Sequence, residues 1–244
     1  MITLLATDLD GTLVGDDTAL LQLNSQLTTL RNSGQLKLAY VTGRSLEMYN
    51  DLKKEKDLLV PDALIAAVGS EIYIDGIRQM NWPNVSHWDI EHISEVLSSY
   101  PDVRPQPPTE QRNYKLCYYF YDGNDSIAKI QADLGIEYTA IYSSNSFLDI
   151  LPTGVDKASA IKQLCSIWGL PETVVIAAGD SGNDISMLTS YKGIIVGNAS
   201  AELLRWQSTS SNTELYVAQA CQAGGIFEGL QYFGINSNKS SNFQ

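Results

Sequence analysis

Histidine and cysteine are scarce in this chain. The 244 residues include two histidines, His87 and His92, and three cysteines, Cys117, Cys165 and Cys221. A Ser-His-Asp triad or a histidine-rich zinc centre is hard to assemble from so few imidazoles. The spacing of the two histidines does not suit one helical face, so both are expected to be solvated. The cysteines are widely separated, odd in number and without metal-ligand spacing, and are expected to be reduced thiols. Positive charge is also in short supply. Sixteen Lys and Arg stand against 28 Asp and Glu, a formal net charge of −12. Such a chain is a poor match for nucleic acid or an anionic membrane, and an anionic ligand would need local rescue by a cation and a few placed basic residues. No apolar run approaches the length of a membrane span. No basic stretch followed by an apolar one opens the chain, so no leader is expected and a cytoplasmic location is. A Gly-x4-Gly-Lys-Ser/Thr loop is missing, which argues against a P-loop nucleotide enzyme. Asp122-Gly-Asn124-Asp-Ser126 has the start of a calcium loop, but Ile127 stands where glycine is needed.

What is present is ample apolar content, 44% of residues, in short runs that alternate with amphipathic stretches. Strands are expected at Ile2–Thr7, Leu36–Val41 and Ala63–Val68, with helices at Ala19–Arg31 and from Ser45 to about Lys54. Glu71–Ile74 and Ile77-Arg78, around Asp75-Gly76, predict a small hairpin. The texture changes after Met80: a helix at His87–Tyr100, a proline-rich loop at Val103–Asn113, an aromatic strand at Tyr114–Tyr121, a helix at Ile127–Leu134, and strands at Tyr138–Ser143 and Phe147–Leu151. From Lys157 the alternation resumes, with helices at Ala158–Trp168 and Asp184–Ser190, strands at Val174–Ala178 and Gly193–Val196, and helices near Ala201–Trp206 and Gly225–Phe233. Asn236–Gln244 is polar and expected to fray. The fold class is therefore α/β, a Rossmann-like parallel sheet core with an inserted α+β unit. The expected boundaries are a discontinuous core of residues 1–79 and 154–244, and an insert of residues 80–153.

Four segments carry chemistry. The first strand ends in Asp8-Leu9-Asp10-Gly11-Thr12-Leu13, two carboxylates that share a face if the extended geometry continues. Like charges that close suggest a hard cation and acid/base work; the alternative is a turn whose aspartates cap a loop. Val41-Thr42-Gly43-Arg44-Ser45 ends a strand and opens a helix, where free N–H groups, a hydroxyl and a guanidinium suit a phosphate; a Ser N-cap after a glycine turn is the plain alternative. Lys157 begins a helix, against the helix dipole, which suggests that it is used; a solvated surface lysine is the alternative. Val174–Ala178 runs into Gly179-Asp180-Ser181-Gly182-Asn183-Asp184, an oxygen-only ligand set suited to Mg²⁺, or a pair of capping aspartates.

In order and position, these four segments resemble the haloacid dehalogenase superfamily of phosphotransferases. The resemblance implies that Asp8 is the nucleophile that forms an aspartyl-phosphate and Asp10 the general acid/base. It assigns Thr42 and Lys157 to the phosphoryl group, with Gly11, Thr12, Gly43 and Asn183 around it. It assigns Asp8, the Asp10 main-chain carbonyl, Asp180 and Asp184 to Mg²⁺, Asp184 as a ligand or just behind one. The insert resembles the large cap of the superfamily's sugar phosphatases. More narrowly, Thr42-Gly-Arg-Ser45, Val68-Gly-Ser-Glu-Ile72-Tyr, Arg104-Pro-Gln-Pro-Pro-Thr-Glu110-Gln, Tyr114-Lys115-Leu-Cys-Tyr and Gly179–Asp184 resemble the sucrose-phosphate phosphatases of cyanobacteria and plants. Gly11-Thr12-Leu13 departs from the Asn-Thr-Trp frequent there. The narrow resemblance implies Mg²⁺-dependent hydrolysis of sucrose 6-phosphate, the last step of sucrose synthesis. It also implies a monomer that binds a small sugar phosphate and associates with the sucrose-phosphate synthase that supplies it. Arg44, Glu110, Asn113, Lys115, Ser144 and Asn145 are the expected sugar contacts, with Ser70 and Glu71 weaker candidates and Tyr118 and Tyr142 nearby. Another capped sugar phosphatase, a phosphomannomutase and a catalytically silent sugar-binding module are the rival readings.

Overall fold

The computed structural model describes residues 2–121 and 126–236. The calcium-loop-like stretch at 122–125 and the tail at 237–244 lie outside the described residues. Eight strands form one sheet in the order β12-β11-β10-β1-β2-β3-β4-β5. They are β1 (Thr3–Thr7), β2 (Leu36–Val41), β3 (Ala63–Ala66), β4 (Glu71–Ile74), β5 (Ile77–Arg78), β10 (Val175–Gly179), β11 (Lys192–Ile195) and β12 (Leu215–Val217). Pairing is parallel from β12 to β3, and β4 and β5 add the expected antiparallel hairpin at one edge.

Alternation along β1 decides the layers. Leu5 points to a core shared with Leu20, Leu23, Leu27 and Leu30 of α1 (Asp17–Asn32), Tyr49 and Leu52 of α2 (Leu46–Glu55), and Ile226 and Leu230 of α8 (Gln222–Tyr232). Leu4 and Ala6 point the other way, against α5 (Lys157–Trp168), α6 (Ile185–Ser190) and Leu203 of α7 (Ala201–Thr209). Each leucine so buried contributes about 2 kcal/mol of transfer free energy. Helix α1 starts two residues earlier than its apolar spacing indicates, because the Asp16 carboxylate accepts from the Thr18 and Ala19 N–H groups.

A second, antiparallel sheet runs β6-β7-β9-β8: β6 (Val103–Pro105), β7 (Leu116–Phe120), β9 (Phe147–Pro152) and β8 (Tyr138–Ser143). Helices α3 (Ile90–Ser98) and α4 (Ile127–Leu134) cover one face of it, with Ile93, Leu97, Ile130 and Leu134 in its core. Tyr118 and Tyr138 are buried there, while His87 and His92 stay exposed beside Tyr138. Three local expectations are corrected. Val103–Pro105 is an edge strand rather than loop, since an edge tolerates a proline. The third strand stops at Ala66, because Ala67 and Val68 take φ of 51° and 57° in a tight turn. Leu215–Val217 adds a short edge strand where the three-residue run is too short to show a period of its own. No described helix is long and apolar enough to cross a membrane.

Candidate active site

The order β10-β1-β2 brings three strand ends together. Thr7 pairs with Ala178 on one side and Tyr40 on the other, so Asp8, Asp180 and Thr42 all follow at the carboxyl edge of the sheet. The chain turns in opposite directions from β1 and β10, the crevice where open α/β sheets bind ligands. Gly11 has φ +77°, and a Cβ on it would lie 2.6 Å from Asp180 Oδ2, so only glycine lets this loop approach the second aspartate. Thr12 Oγ1 donates to Asp180 Oδ1 at 2.6 Å. Lys157 arrives from α5, whose start is fixed by a reciprocal capping box between Asp156 and Ser159.

Lys157 is fully buried, not solvated. Its Nζ donates to Asp8 Oδ1 at 2.8 Å and to Asp184 Oδ1 at 2.7 Å. Asp184 Oδ2 accepts from the Asp180 and Ser181 N–H groups at 2.9 and 3.0 Å. Carboxylate oxygens of Asp8, Asp180 and Asp184 lie within 4.8 Å of one another. Burial drives the Asp8 carboxyl well above the usual range; Lys157 opposes the rise, and Asp184 and Asp180 add to it. Asp180 is pushed up to about 7, by burial first and then by Asp184. Burial alone would lower the Lys157 ammonium, but the Asp184 and Asp8 carboxylates outweigh it and hold it above the ordinary lysine range. One lysine thus faces three carboxylates. Among the described residues, Asp8 Oδ2 and Asp180 Oδ2 receive no hydrogen bond. Two free carboxylate oxygens beside a surplus of negative charge form a donor set that fits a hard divalent cation.

Asp10 points away from this cluster. Its half-exposed carboxylate is gripped at both oxygens by Arg44, Nε and Nη2 each at 2.7 Å. Together they form one wall of a cavity of about 300 Å³ between the two sheets. Of the residues expected to act on phosphate or sugar, Asp8, Asp10, Gly43, Arg44, Glu110, Lys115, Ser144 and Asn183 line it. Thr42 sits just behind, 1% exposed, its Oγ1 accepting from the Arg44 N–H. Asn113 and Asn145 are exposed and do not line the cavity. Glu71 is buried elsewhere, accepting from the Tyr73 hydroxyl and paired with Arg78, and Ser70 is likewise outside the lining.

Lys115 is tied across the seam between the sheets. Its Nζ donates to the Gly43 carbonyl at 3.1 Å and pairs with Asp149 at 3.4 Å, both side chains 8% exposed. Burial alone would lower this lysine; Asp149 holds it above its ordinary value. Asp149, Gln106, Ser143 and Phe147 also line the cavity and went unremarked in the sequence. A readable signal existed for Asp149, the single acid in the otherwise apolar strand Phe147–Pro152.

The family model for sucrose-6F-phosphate phosphohydrolase matches residues 1–234. Sucrose-phosphatase 1 of Nicotiana tabacum is 32% identical over 97% of this chain, which spans about 60% of that protein's length. Mannosylfructose-phosphate phosphatase of Agrobacterium fabrum is 31% identical, over 96% of this chain and 98% of its own length. Among solved structures, the sucrose-phosphatase of Synechocystis sp. PCC6803, in complex with sucrose and phosphate, superposes with a TM-score of 0.89 at 34% identity. That match covers 96% of this chain and 99% of that one. The chain belongs to the sucrose-6F-phosphate phosphohydrolase family of the haloacid dehalogenase superfamily.

Proposed function

We propose that this chain hydrolyses sucrose 6-phosphate to sucrose and phosphate through a covalent intermediate on Asp8. The observation that carries the reading is Lys157, fully buried between Asp8 and Asp184, with Asp180 beside them, directly behind the point where Asp8 enters a cavity that the second sheet also lines. Asp8 Oδ2 attacks phosphorus, and Asp10, turned from the Arg44 guanidinium towards the ester, gives a proton to the leaving sugar oxygen, then takes one from the water that opens the acyl phosphate. Arg44 holds Asp10 at the cavity wall before the ester enters, and the pair contributes little to stability because the Asp10 carboxylate is half-exposed. Lys157 keeps the nucleophile in place and offsets charge on the phosphoryl group, which Thr42, Gly43, Gly11, Thr12 and Asn183 surround. Mg²⁺, held by Asp8, Asp180 and the Asp10 carbonyl with Asp184 behind, would supply further charge neutralisation for the phosphoryl oxygens. Residues 80–153 act as the cap that selects the sugar, with Glu110, Lys115 and Ser144 on its inner wall and Arg44 opposite. A sugar wall of this kind, rich in polar groups, rejects esters lacking the matching hydroxyls.

Phosphate release from a panel of sugar phosphates tests the reading. Sucrose 6-phosphate is expected to exceed simple hexose 6-phosphates in kcat/KM by about 10²-fold. The full-length match to a mannosylfructose-phosphate phosphatase favours one rival, so that ester belongs on the panel; its preference over sucrose 6-phosphate would transfer the assignment. Isomerised product without phosphate would mean a mutase.

Metal binding has its own signature in stability. Burial and the Asp184 charge push the Asp180 carboxyl up to about 7 in the fold, against about 3.9 in an unfolded chain. Between those values the folded state holds the extra proton, so stability falls as pH rises through the window. Lys157, raised by its partners, keeps its contribution through neutral pH. Asp180 would give up that proton on holding a divalent ion. Millimolar Mg²⁺ is therefore expected to raise Tm more at pH 8 than at pH 5, and an equal or absent shift would refute the metal assignment.

A further inference from the structure

The turn joining β8 to β9 leans on the Asp180–Asp184 turn through a carboxylate that no step above uses. Glu202, in the first turn of α7, is 7% exposed. Its Oε1 accepts from the Gly182 N–H at 2.8 Å and from the Ser144 N–H at 3.1 Å. Its Oε2 is buried and has no partner among the described residues. One side chain thus grips both walls of the cavity: Ser181 and Asn183 flank Gly182 on the core side, and Ser143, Ser144 and Phe147 surround the turn on the other. Gly182 is required at this junction, because a Cβ there would lie 2.3 Å from the Tyr142 carbonyl and 2.9 Å from Glu202 Oε1.

The two walls depend on Glu202 unequally. The core turn has other anchors, the Asp184 carboxylate on two of its N–H groups and the Ser200 N–H on the Asp180 carbonyl. The β8–β9 turn, with Ser144 and Asn145 at φ 53° and 56°, otherwise bonds only within its own sheet: it closes on itself through Ser146, whose carbonyl also accepts from the Phe120 N–H of β7 among the described residues. Among the described residues, Glu202 is its hydrogen-bonding partner in the core. The turn lies at the opposite end of β9 from Pro152, where the strand hands back to the core. The ties from Lys115 to Gly43 and from Arg112 to Glu47 hold the seam near α2 instead.

We infer that Glu202 is a positioning residue for sugar recognition: it sets the β8–β9 turn against the phosphate-binding turn, so that sugar-ester selection, rather than phosphoryl transfer itself, depends on it. The inference rests on the capped-phosphatase reading. Two variants separate reach from charge. Glu202→Asp keeps the charge but is one methylene too short to span both amides; Glu202→Gln keeps an accepting oxygen in place and loses the charge. Each is assayed with sucrose 6-phosphate and with p-nitrophenyl phosphate, a small ester without sugar hydroxyls. Glu202→Asp is expected to raise KM for sucrose 6-phosphate about tenfold while kcat/KM for the aryl ester stays within about twofold, and Glu202→Gln to stay within about threefold of wild type on both. Hydrogen exchange supplies a substrate-free readout, in which Glu202→Asp exposes the Ser144 amide about tenfold more than wild type and the Gly182 amide less so. A parallel fall on both esters, or unchanged exchange at Ser144, overturns the inference and leaves the phosphatase reading standing. A wild-type protein inert toward both esters overturns the phosphatase reading, and the inference with it.

Discussion

Asp8→Asn is expected to abolish turnover and to leave a protein that is at least as stable as the original when no metal is added. The asparagine oxygen can still accept from Lys157 Nζ, which now sits 2.8 Å from Asp8 Oδ1, so the buried ammonium keeps two partners. What is lost is the second oxygen, the one that receives no hydrogen bond and is free to attack. An amide nitrogen is no nucleophile, and loss of a covalent nucleophile costs about 10⁴-fold or more in kcat. The stability argument has the opposite sign. The Asp8 carboxyl is raised well above its ordinary value by burial, so it binds protons more readily folded than unfolded, and stability falls as it ionises. Removing it removes that pH-dependent loss. The variant is expected to gain Tm relative to wild type at pH 8 and little at pH 4, the trade of stability for activity common at reactive sites. Rapid quench with ³²P-labelled substrate should trap label on the wild type and none on the variant. Turnover within tenfold of wild type would remove Asp8 from the role given to it here.

The core site was legible because its residues punctuate the strongest periodic signals in the chain. Asp8, Thr42 and Asp180 each stand one residue past an apolar strand, and a parallel sheet forces such positions to one edge. The burial of Lys157 was less legible. Its helix shows apolar spacing, but only the capping box at Asp156 and Ser159 fixes where the first turn begins and so aims the lysine inward. The second sheet was harder because its signals compete. Pro105, Pro107 and Pro108 read as loop, and an edge strand tolerates the first of them. Polar side chains in its turns invited assignment to the sugar, yet composition does not say which turn faces the cavity: Ser144 does, while Asn113 and Asn145 face solvent. Asp149 stands out as the single acid of an apolar strand, but one acid carries no period, and its tie to Lys115 is visible only in the fold. Glu202 is further from legibility still. It reads as an ordinary first-turn glutamate, favoured by the helix dipole, and its burial depends on two turns distant in sequence.

Lys157→Met should be the most destabilising single change at the site, and its pH dependence identifies why. The side chain is fully buried, and methionine fills most of the same volume, so the packing loss is small. The electrostatic loss is not. Asp8 Oδ1 and Asp184 Oδ1 would be left facing one another without the cation between them, and breaking a buried pair from one side costs about 3–5 kcal/mol. Asp8 would also lose the charge that opposes its upward shift, so the folded variant binds protons still more readily than the unfolded chain. The deficit relative to wild type is therefore largest at pH 8 and shrinks as pH falls towards 5, where protonation relieves the crowding. Urea unfolding at the two pH values measures it. A second substitution separates charge from shape: Asp184→Asn in the Lys157→Met background removes one of the crowded carboxylates and keeps an oxygen for the Asp180 and Ser181 amides. The double variant is expected to recover about 1–3 kcal/mol of the loss, a coupling typical of residues in one network. Activity should not return, because the cation proposed to offset charge on the phosphoryl group is still missing, a deficit of about 10²–10³-fold or more in kcat. A stability loss of equal size at both pH values would mean that Lys157 acts through packing, and the charge-balanced floor proposed for this pocket would have to be abandoned.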